Sequence, residues 1–157
     1  MSRAELVKEI KNNGIVAIIR TKYPDKLIKI AEAIFEGGVK FIEITMTVPN
    51  ALKMIKEVRT SVSDEIILGV GSVLFPADIL GMKFFKSVKA PMPDLNLMPT
   101  GGVNLDNAGD WINAGACAVG IGTALLDVKA IEQNNYKKLT ENARRINDSI
   151  KSAVSNN

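Results

Sequence analysis

The chain has 157 residues, of which 46% are hydrophobic, and a mean hydropathy of +0.11, which suits the core of one folded domain and excludes a disordered chain. Its formal charge of +3 comes from 20 basic and 17 acidic residues. These form no basic blocks with interleaved aromatics, so no nucleic-acid partner is expected. No apolar run approaches the roughly 20 residues of a membrane helix, so no membrane partner is expected either.

Two residue types limit the chemistry. The chain contains no histidine, which excludes a Ser-His-Asp triad, a Cys-His pair and a histidine-based zinc site. The single Cys117 excludes an internal disulfide framework, and neither a metal nor a cofactor is expected. The first thirty residues lack a signal-peptide pattern, so the expected localisation is cytoplasmic.

The first half of the chain alternates predicted helices and strands. A capping box of Ser2 and Glu5 begins a helix that ends at Gly14. Pro24 begins a second helix, which ends at two glycines, Gly37 and Gly38. The remaining predictions here are a strand over 15–20, a strand over 39–46, a helix that begins at 49–50 and a strand over 66–70.

After Leu74 the alternation breaks. Residues 75–78 form a loop of the kind that ends a strand, yet hardly any chain separates them from the loop of the strand before. Further on, the pattern predicts helices over 82–88 and 105–113, strands over 96–99 and 116–121, and a C-terminal helix. Because helices separate the five strands, we expect them to be parallel, in a barrel or an open doubly wound sheet.

Two glycine turns follow the last two predicted strands. The first lies in Met98–Asn104 and the second in Val119–Leu125, and each leads towards a helical pattern. Backbone N–H groups in such turns can face an anion, which predicts a site for a phosphorylated small molecule. The alternative for Gly101 and Gly102 is a tight turn without a ligand.

Five segments carry a family resemblance, in the same order along the chain. They are Gly14–Arg20, Glu36–Thr45, Gly69–Val73, Phe75–Ala77 and Met98–Asn104. With them, the chain resembles the bacterial 2-keto-3-deoxy-6-phosphogluconate (KDPG) and 4-hydroxy-2-oxoglutarate (KHG) aldolases. The resemblance implies an α/β fold of the (β/α)8 TIM-barrel type, a single domain over residues 1–157, and a homotrimer if the barrel is complete.

The resemblance also implies a class I aldolase, which forms a lysine Schiff base with pyruvate and acts on a phosphorylated 2-keto acid. Glu43 matches the general base. Implied contacts with the rest of the substrate come from Arg20, Thr45, Ser72, Phe75 and Thr100, and the implied phosphate ligands are Gly101, Gly102, Gly122 and Thr123. Thr47 stands where an arginine often follows in the family, which leaves KDPG or KHG preference open.

Two of these residues have other interpretations. Glu43 lies in an otherwise apolar strand, where a buried structural ion pair is the alternative to a catalytic role. Arg20 ends a strand, where it can be a substrate ligand, a solvated charge or a salt-bridge partner.

The nucleophile is the main departure from the family pattern. The family lysine lies two residues before Phe75, where this chain has Val73. The resemblance therefore implies that barrel strands 4 and 5 and most of strand 6 are absent at a seam between Leu74 and Phe75. This leaves an incomplete barrel or an open five-stranded parallel sheet with the strand order 7-8-1-2-3.

Three explanations of the gap are open. In the first, the intact protein carries a segment that this sequence lacks. In the second, a natural or engineered deletion leaves only a phosphate-binding α/β scaffold without catalysis. In the third explanation, another lysine replaces the missing nucleophile. Lys22 is the lysine nearest to the active end of the strands, and a solvated loop lysine is its simpler interpretation.

Overall fold

The computed structural model describes residues 2–45, 51–71, 77–91, 93 and 96–155. Helices and strands alternate along the chain, which confirms the predicted α/β class. The elements are α1 (Arg3–Asn13), β1 (Ile15–Ile19), α2 (Leu27–Glu36), β2 (Phe41–Thr45), α3 (Ala51–Ser61), β3 (Ile67–Gly71), α4 (Ala77–Lys89), α5 (Ala108–Asn113), β4 (Val119–Ile121), α6 (Val128–Glu132) and α7 (Tyr136–Ser155). No helix in these ranges combines the length and apolar character that a membrane span needs.

The first helix begins and ends at the predicted residues. The Ser2 backbone N–H donates to Glu5 Oε2 at 2.7 Å, and the Glu5 N–H donates to Ser2 Oγ at 3.3 Å, so the capping box is complete. Gly14 ends the helix with φ of 73°, a left-handed conformation that favours glycine. Its N–H donates to the carbonyl of Ile10 at 2.8 Å. Local side-chain chemistry therefore fixes both ends of α1.

The four strands form one parallel sheet in the order β3-β2-β1-β4. The prediction of a fifth strand over 96–99 is wrong for the described chain. This segment does lie beside β4, at the expected edge of the sheet. The Cys117 N–H donates to the Leu97 carbonyl, and the Gly120 N–H donates to the Pro99 carbonyl. Thr100 forms a single β-bridge with Gly120. Proline has no N–H to donate, so Pro99 cannot extend a ladder.

The sheet has two different faces. Alternate residues of a strand point to opposite faces, and register partners in neighbouring strands share a face. One face packs into the main core and is aliphatic, with each of these side chains at most 1% exposed: Ile15, Ala17, Ile19, Ile42, Ile44, Val119 and Ile121. The opposite face, called the inner face below, carries Val16, Ile18, Phe41, Glu43 and Thr45 together with Gly69 and Gly120. Polar side chains and glycines thus lie on one side of the sheet only.

The C-terminal helix α7 packs against α2 and α5 through close backbone contacts. A Cβ on Gly37 would lie 2.2 Å from Ala143 Cβ, so the approach requires glycine. Thr140 Oγ1 donates to the Ala33 carbonyl at 2.9 Å. On the other side, the Gly109 N–H donates to Ser149 Oγ at 3.2 Å. These contacts hold α7 against the helical layer that covers the aliphatic face.

Helix α4 joins the same layer through an aromatic pair. The rings of Phe85 and Trp111 meet edge to face, with centroids 5.1 Å apart and an interplanar angle of 69°. Trp111 is 3% exposed and Phe85 is 6% exposed, so the pair lies in the core. The helix predicted over 82–88 lies inside α4, which breaks at Gly81, where φ is 70°.

Several predicted bounds are wrong by a few residues. The helix expected from Leu105 begins at Ala108. The side-chain oxygens of Asn104 and Asn107 accept hydrogen bonds from backbone N–H groups and hold the preceding residues in a turn. The last strand begins at Val119 rather than Ala116. The short helix α6 was not predicted; Asp127 begins it by accepting a hydrogen bond from the Ala130 N–H at 3.0 Å.

Candidate functional site

The carboxyl ends of the parallel strands bring most of the predicted site residues to one edge of the sheet. Such an edge is where ligands bind in α/β folds. Arg20 follows β1, Glu43 and Thr45 lie in β2, and Gly122 follows β4. Thr100, Gly101 and Gly102 follow the segment beside β4. Ser72 and Phe75 lie outside the described residues, as does the seam between Leu74 and Phe75.

Glu43 lies at the middle of the inner face, level with Ile18 of β1 and Gly69 of β3. Its Oε1 is buried, and no described residue donates a hydrogen bond to it. No described lysine or arginine pairs with the carboxylate, so the structural ion pair is not found in this part of the chain. Burial raises the pKa of the Glu43 carboxyl. A carboxyl group with a raised pKa in a cleft is suited to proton transfer.

Arg20 is the cation at this edge. It is exposed where β1 ends, and no described carboxylate lies within ion-pair distance of it. The salt-bridge interpretation of Arg20 is therefore not found among the described residues. Thr45 is fully buried two positions beyond Glu43 on the same face, and it takes part in an interaction of its own. A carboxylate or phosphate ligand can accept hydrogen bonds from the Arg20 guanidinium.

The two glycine turns lie side by side. Gly101 and Gly102 have φ of 78° and 74°, so two successive residues adopt the left-handed conformation. Across the bridge between Thr100 and Gly120, the other turn begins at Gly122, whose carbonyl accepts hydrogen bonds from Leu125 and Leu126, each at 3.0 Å. Among the hydrogen bonds of the described residues, none uses the backbone N–H of Gly101, Gly102 or Thr123. Successive free N–H groups in such a turn form a concave anion site.

A polar contact ties the loop after β1 to α6. Lys26 Nζ donates to the carbonyls of Ile131 and Glu132 at 2.8 and 3.0 Å, and the Tyr23 hydroxyl donates to the Glu132 carboxylate. The hydrogen bond to Glu132 raises the pKa of Tyr23. The contact holds the loop that carries Arg20 next to the helix that follows the Gly122 turn. It joins distant parts of the chain, and no local sequence pattern indicates it.

No lysine lies on the inner face of the sheet. Every lysine of the chain is among the described residues, and none is in a strand. All are exposed except Lys26 and Lys89, which are partly buried and whose Nζ atoms donate to backbone carbonyls. Lys22, the candidate replacement nucleophile, is exposed, and its Nζ lies 5.4 Å from the centroid of the Tyr23 ring. A Schiff-base lysine needs a desolvated or electropositive pocket, and none of these positions provides a desolvated one.

The KDPG and KHG aldolase family matches this chain over residues 6–74 and again over 68–142. The chain belongs to this family. The two matches overlap at residues 68–74, next to the seam predicted between Leu74 and Phe75. The resemblance drawn from the five sequence segments is thereby confirmed.

Individual aldolases are distant relatives. The 2-dehydro-3-deoxy-phosphogluconate aldolase of Haemophilus influenzae is 28% identical over 153 residues, which cover 94% of this chain and 64% of that protein. The 2-dehydro-3-deoxy-6-phosphogalactonate aldolase of Escherichia coli K12 is 20% identical over 171 residues, covering 71% of this chain and 83% of its own length. The chain therefore spans less than two thirds of the length of the Haemophilus aldolase.

Solved aldolase structures share the fold. The KDPG aldolase of Legionella pneumophila, captured with pyruvate as a covalent carbinolamine, superposes with a TM-score of 0.80 at 18% identity, covering 92% of this chain and 98% of that one. A native KDPGal structure gives a TM-score of 0.78 at 19% identity, with coverage of 90% and 96%. The incomplete-barrel interpretation agrees with these matches, because the four-stranded sheet of this aldolase-family chain follows the architecture of longer barrels.

Proposed function

We propose that this chain binds a phosphorylated 2-keto acid of the aldolase substrate class and holds it without forming a Schiff base. The observation that carries the proposal is the pair of left-handed glycines, Gly101 and Gly102, beside the Gly122 turn. Their N–H groups have no acceptor among the described residues, and an anion would supply one.

Each predicted site residue has a role in this proposal. Gly101, Gly102, Gly122 and Thr123 donate backbone N–H groups to the phosphate. Arg20 pairs with the carboxylate end, while Thr45, Ser72, Phe75 and Thr100 keep the roles that the family implies around the pyruvyl or hydroxyl groups. Glu43 lies deeper on the inner face of the same sheet, where its carboxyl group can exchange a proton with the ligand through water.

Lysine placement supports binding without covalent chemistry. The family position of the nucleophile is Val73, and the lysines elsewhere are exposed or engaged with backbone carbonyls. A hydrophobic pocket or a neighbouring cation activates a lysine as a nucleophile, and an exposed lysine has no such hydrophobic pocket. The ligand would therefore be bound by noncovalent contacts alone.

The second candidate is lyase activity, namely cleavage of KDPG to pyruvate and glyceraldehyde 3-phosphate, or of KHG to pyruvate and glyoxylate. The buried Glu43 Oε1, which has no hydrogen-bond partner among the described residues, favours it, because a carboxyl group with a raised pKa is what the proton transfers require. It also requires a reactive lysine, and Lys22 is the candidate.

Two measurements test these functions. A titration with inorganic phosphate, followed by the NMR shifts of the backbone amides, is expected to move the signals of Gly101, Gly102 and Thr123. Incubation with pyruvate and borohydride is expected to leave the intact mass at 17.0 kDa. A pyruvyl adduct that Lys22→Ala abolishes would establish the second candidate instead, and no phosphate-dependent shifts would contradict the first.

Gly115 provides the matched control. Gly101→Ala and Gly115→Ala both place a side chain at a left-handed position, with φ of 78° and 100°, so both lose stability through backbone strain. Gly115 precedes the N-terminal end of β4, whereas the site lies at the carboxyl ends of the strands. Only Gly101→Ala is therefore expected to weaken phosphate binding.

A further inference from the structure

Two asparagines close the loop that follows the Gly101–Gly102 pair. The Asn104 N–H donates to Asn107 Oδ1 at 2.8 Å, and the N–H groups of Asp106 and Asn107 donate to Asn104 Oδ1 at 2.9 and 3.0 Å. In addition, Asn107 Nδ2 donates to the Gly102 carbonyl at 3.0 Å. We call Asn104 and Asn107, with these four hydrogen bonds, the asparagine clasp.

The clasp acts on the glycine pair through the Gly102 carbonyl. A peptide unit is planar, so fixing this carbonyl also fixes the direction of the Val103 N–H and restricts ψ of Gly102. Glycine populates a wide range of φ and ψ, and two successive glycines have no preference for one orientation of their N–H groups. The hydrogen bond from Asn107 Nδ2 therefore selects one conformation of a segment that is otherwise free to change.

The remaining clasp bonds keep Asn107 in place. Its Oδ1 accepts from Asn104, so both ends of its side-chain amide are engaged, and the amide is held against the loop. Asn104 uses its Oδ1 as an acceptor, and its side-chain amide donates no hydrogen bond to any described residue. The two asparagines thus have different requirements: Asn107 must accept and donate, whereas Asn104 need only accept.

We propose that Asn104 and Asn107 are positioning residues for the phosphate site: they hold the Gly101–Gly102 amides in the anion-binding conformation without contacting the ligand. This inference rests on the proposed function, because it concerns the same phosphate. A site that is ordered before the ligand arrives loses less conformational entropy on binding, so the clasp raises affinity.

A charge-matched pair of variants tests the inference. Asn104→Asp and Asn107→Asp add the same charge three positions apart in the same loop. An aspartate at 104 keeps the acceptor of the turn, but an aspartate at 107 cannot donate to the Gly102 carbonyl. With inorganic phosphate as the probe, we expect Asn107→Asp to bind several-fold more weakly than Asn104→Asp.

Alanine variants give the size of the effect. We expect Asn107→Ala to weaken phosphate binding about tenfold, the value of one net hydrogen bond that orders the site. The double variant Asn104→Ala/Asn107→Ala is expected to lose little more than Asn107→Ala alone, since both substitutions open the same clasp. Thermal unfolding of each variant without phosphate serves as the stability control, since Asn104 is exposed and Asn107 is half-buried.

The outcomes separate the two proposals. Wild-type protein that fails to bind phosphate overturns the proposed function and this inference together. If wild-type protein binds phosphate and Asn107→Ala binds it equally well, only this inference is overturned. Equal affinities of the two aspartate variants, or a change in melting temperature without any change in affinity, would also contradict a positioning role.

Discussion

The side chain of Thr100 packs against Gly120 so closely that a Cβ on Gly120 would require its neighbours to move. A methyl group on Gly120 would lie 3.1 Å from Thr100 Oγ1 and 2.8 Å from Ile18 Cδ1. The same two residues form the bridge between the edge segment and β4. This contact sets the distance between the two glycine turns, because one turn begins directly after Thr100 and the other two residues after Gly120.

Gly120→Ala is expected to destabilise the fold by about 1–3 kcal/mol, the usual cost of overpacking. The methyl group would force apart Thr100 and Ile18. Gly69→Ala is the matched control in another strand, since its nearest non-local atom would be the Ile42 carbonyl oxygen at an ordinary 3.9 Å. Urea unfolding of both variants checks this, and equal free energies of unfolding would contradict the close contact.

Glu43→Gln is expected to stabilise the protein at neutral pH. Burial raises the pKa of Glu43 above its ordinary value of 4.5, so the folded state binds a proton more tightly than the unfolded state does. Wild-type stability therefore falls as pH rises from 4.5 through the raised pKa, whereas the glutamine variant lacks this fall.

Free energies of unfolding measured across this pH range check that sign. The gain in free energy of unfolding from Glu43→Gln should be absent below pH 4.5 and complete above the raised pKa of Glu43. Glu9→Gln, at an exposed position of α1, is the control and should follow the wild-type curve. A Glu43→Gln variant less stable than wild type at neutral pH would show that the carboxylate has a favourable partner.

Lys26→Ala is expected to cost about 0.5–1 kcal/mol, because its ammonium group satisfies the last carbonyls of α6. Lys129→Ala removes an exposed lysine from α6 itself and should change the free energy of unfolding by less than about 0.5 kcal/mol. Hydrogen exchange locates the effect: the amides of α6 should exchange faster in Lys26→Ala alone. Unchanged exchange in α6 would indicate that the tie to the β1 loop does not order this helix.

Phe85→Ala is expected to cost about 3–5 kcal/mol, as for other buried aromatic side chains. Phe85 is 6% exposed and meets Trp111 edge to face, whereas its neighbour Phe84 is 44% exposed. Phe84→Ala is therefore the control, with a change of roughly 0.5 kcal/mol or less. The fluorescence of Trp111, the only tryptophan, reports unfolding in both variants. Equal losses of stability in the Phe85→Ala and Phe84→Ala variants would indicate that α4 lies outside the core.

The sequence predicts elements well where local chemistry decides them. Ser2, Glu5 and Gly14 specify both ends of α1 through hydrogen bonds within the helix and its caps. The apolar character of the segment over 96–99 predicts a strand, but Pro99 has no N–H to donate to a ladder. The position of this segment beside β4 is therefore predicted correctly, and its strand conformation is not. Helix α6 is five residues long, too short for a periodic pattern to indicate it.

The candidate site was predicted less completely than the fold. The five family segments indicate Glu43, Arg20 and the Gly101–Gly102 turn, while the Gly122 turn is indicated by glycines that follow a predicted strand. Their roles in the site stay predictions. The clasp was missed because an Asn-x-x-Asn spacing before an apolar run resembles a helix start as much as a turn. The tie from Lys26 to Ile131 joins residues 105 positions apart, and such a contact depends on the folded arrangement alone.

The sheet order has a consequence for synthesis of the chain. Strand β1 lies between β2 and β4, and the Val119 N–H donates to the Gly14 carbonyl at 2.8 Å. As the nascent chain leaves the ribosome, β1 can pair with β2 early, but its second edge stays open until the segment around Val119 has emerged. Roughly 75 residues are made between the end of β2 and Val119, and during that interval an aliphatic strand is half-paired and exposed to aggregation. We therefore expect nascent chains that end before β4 to bind chaperones through β1, and full-length chains to be released.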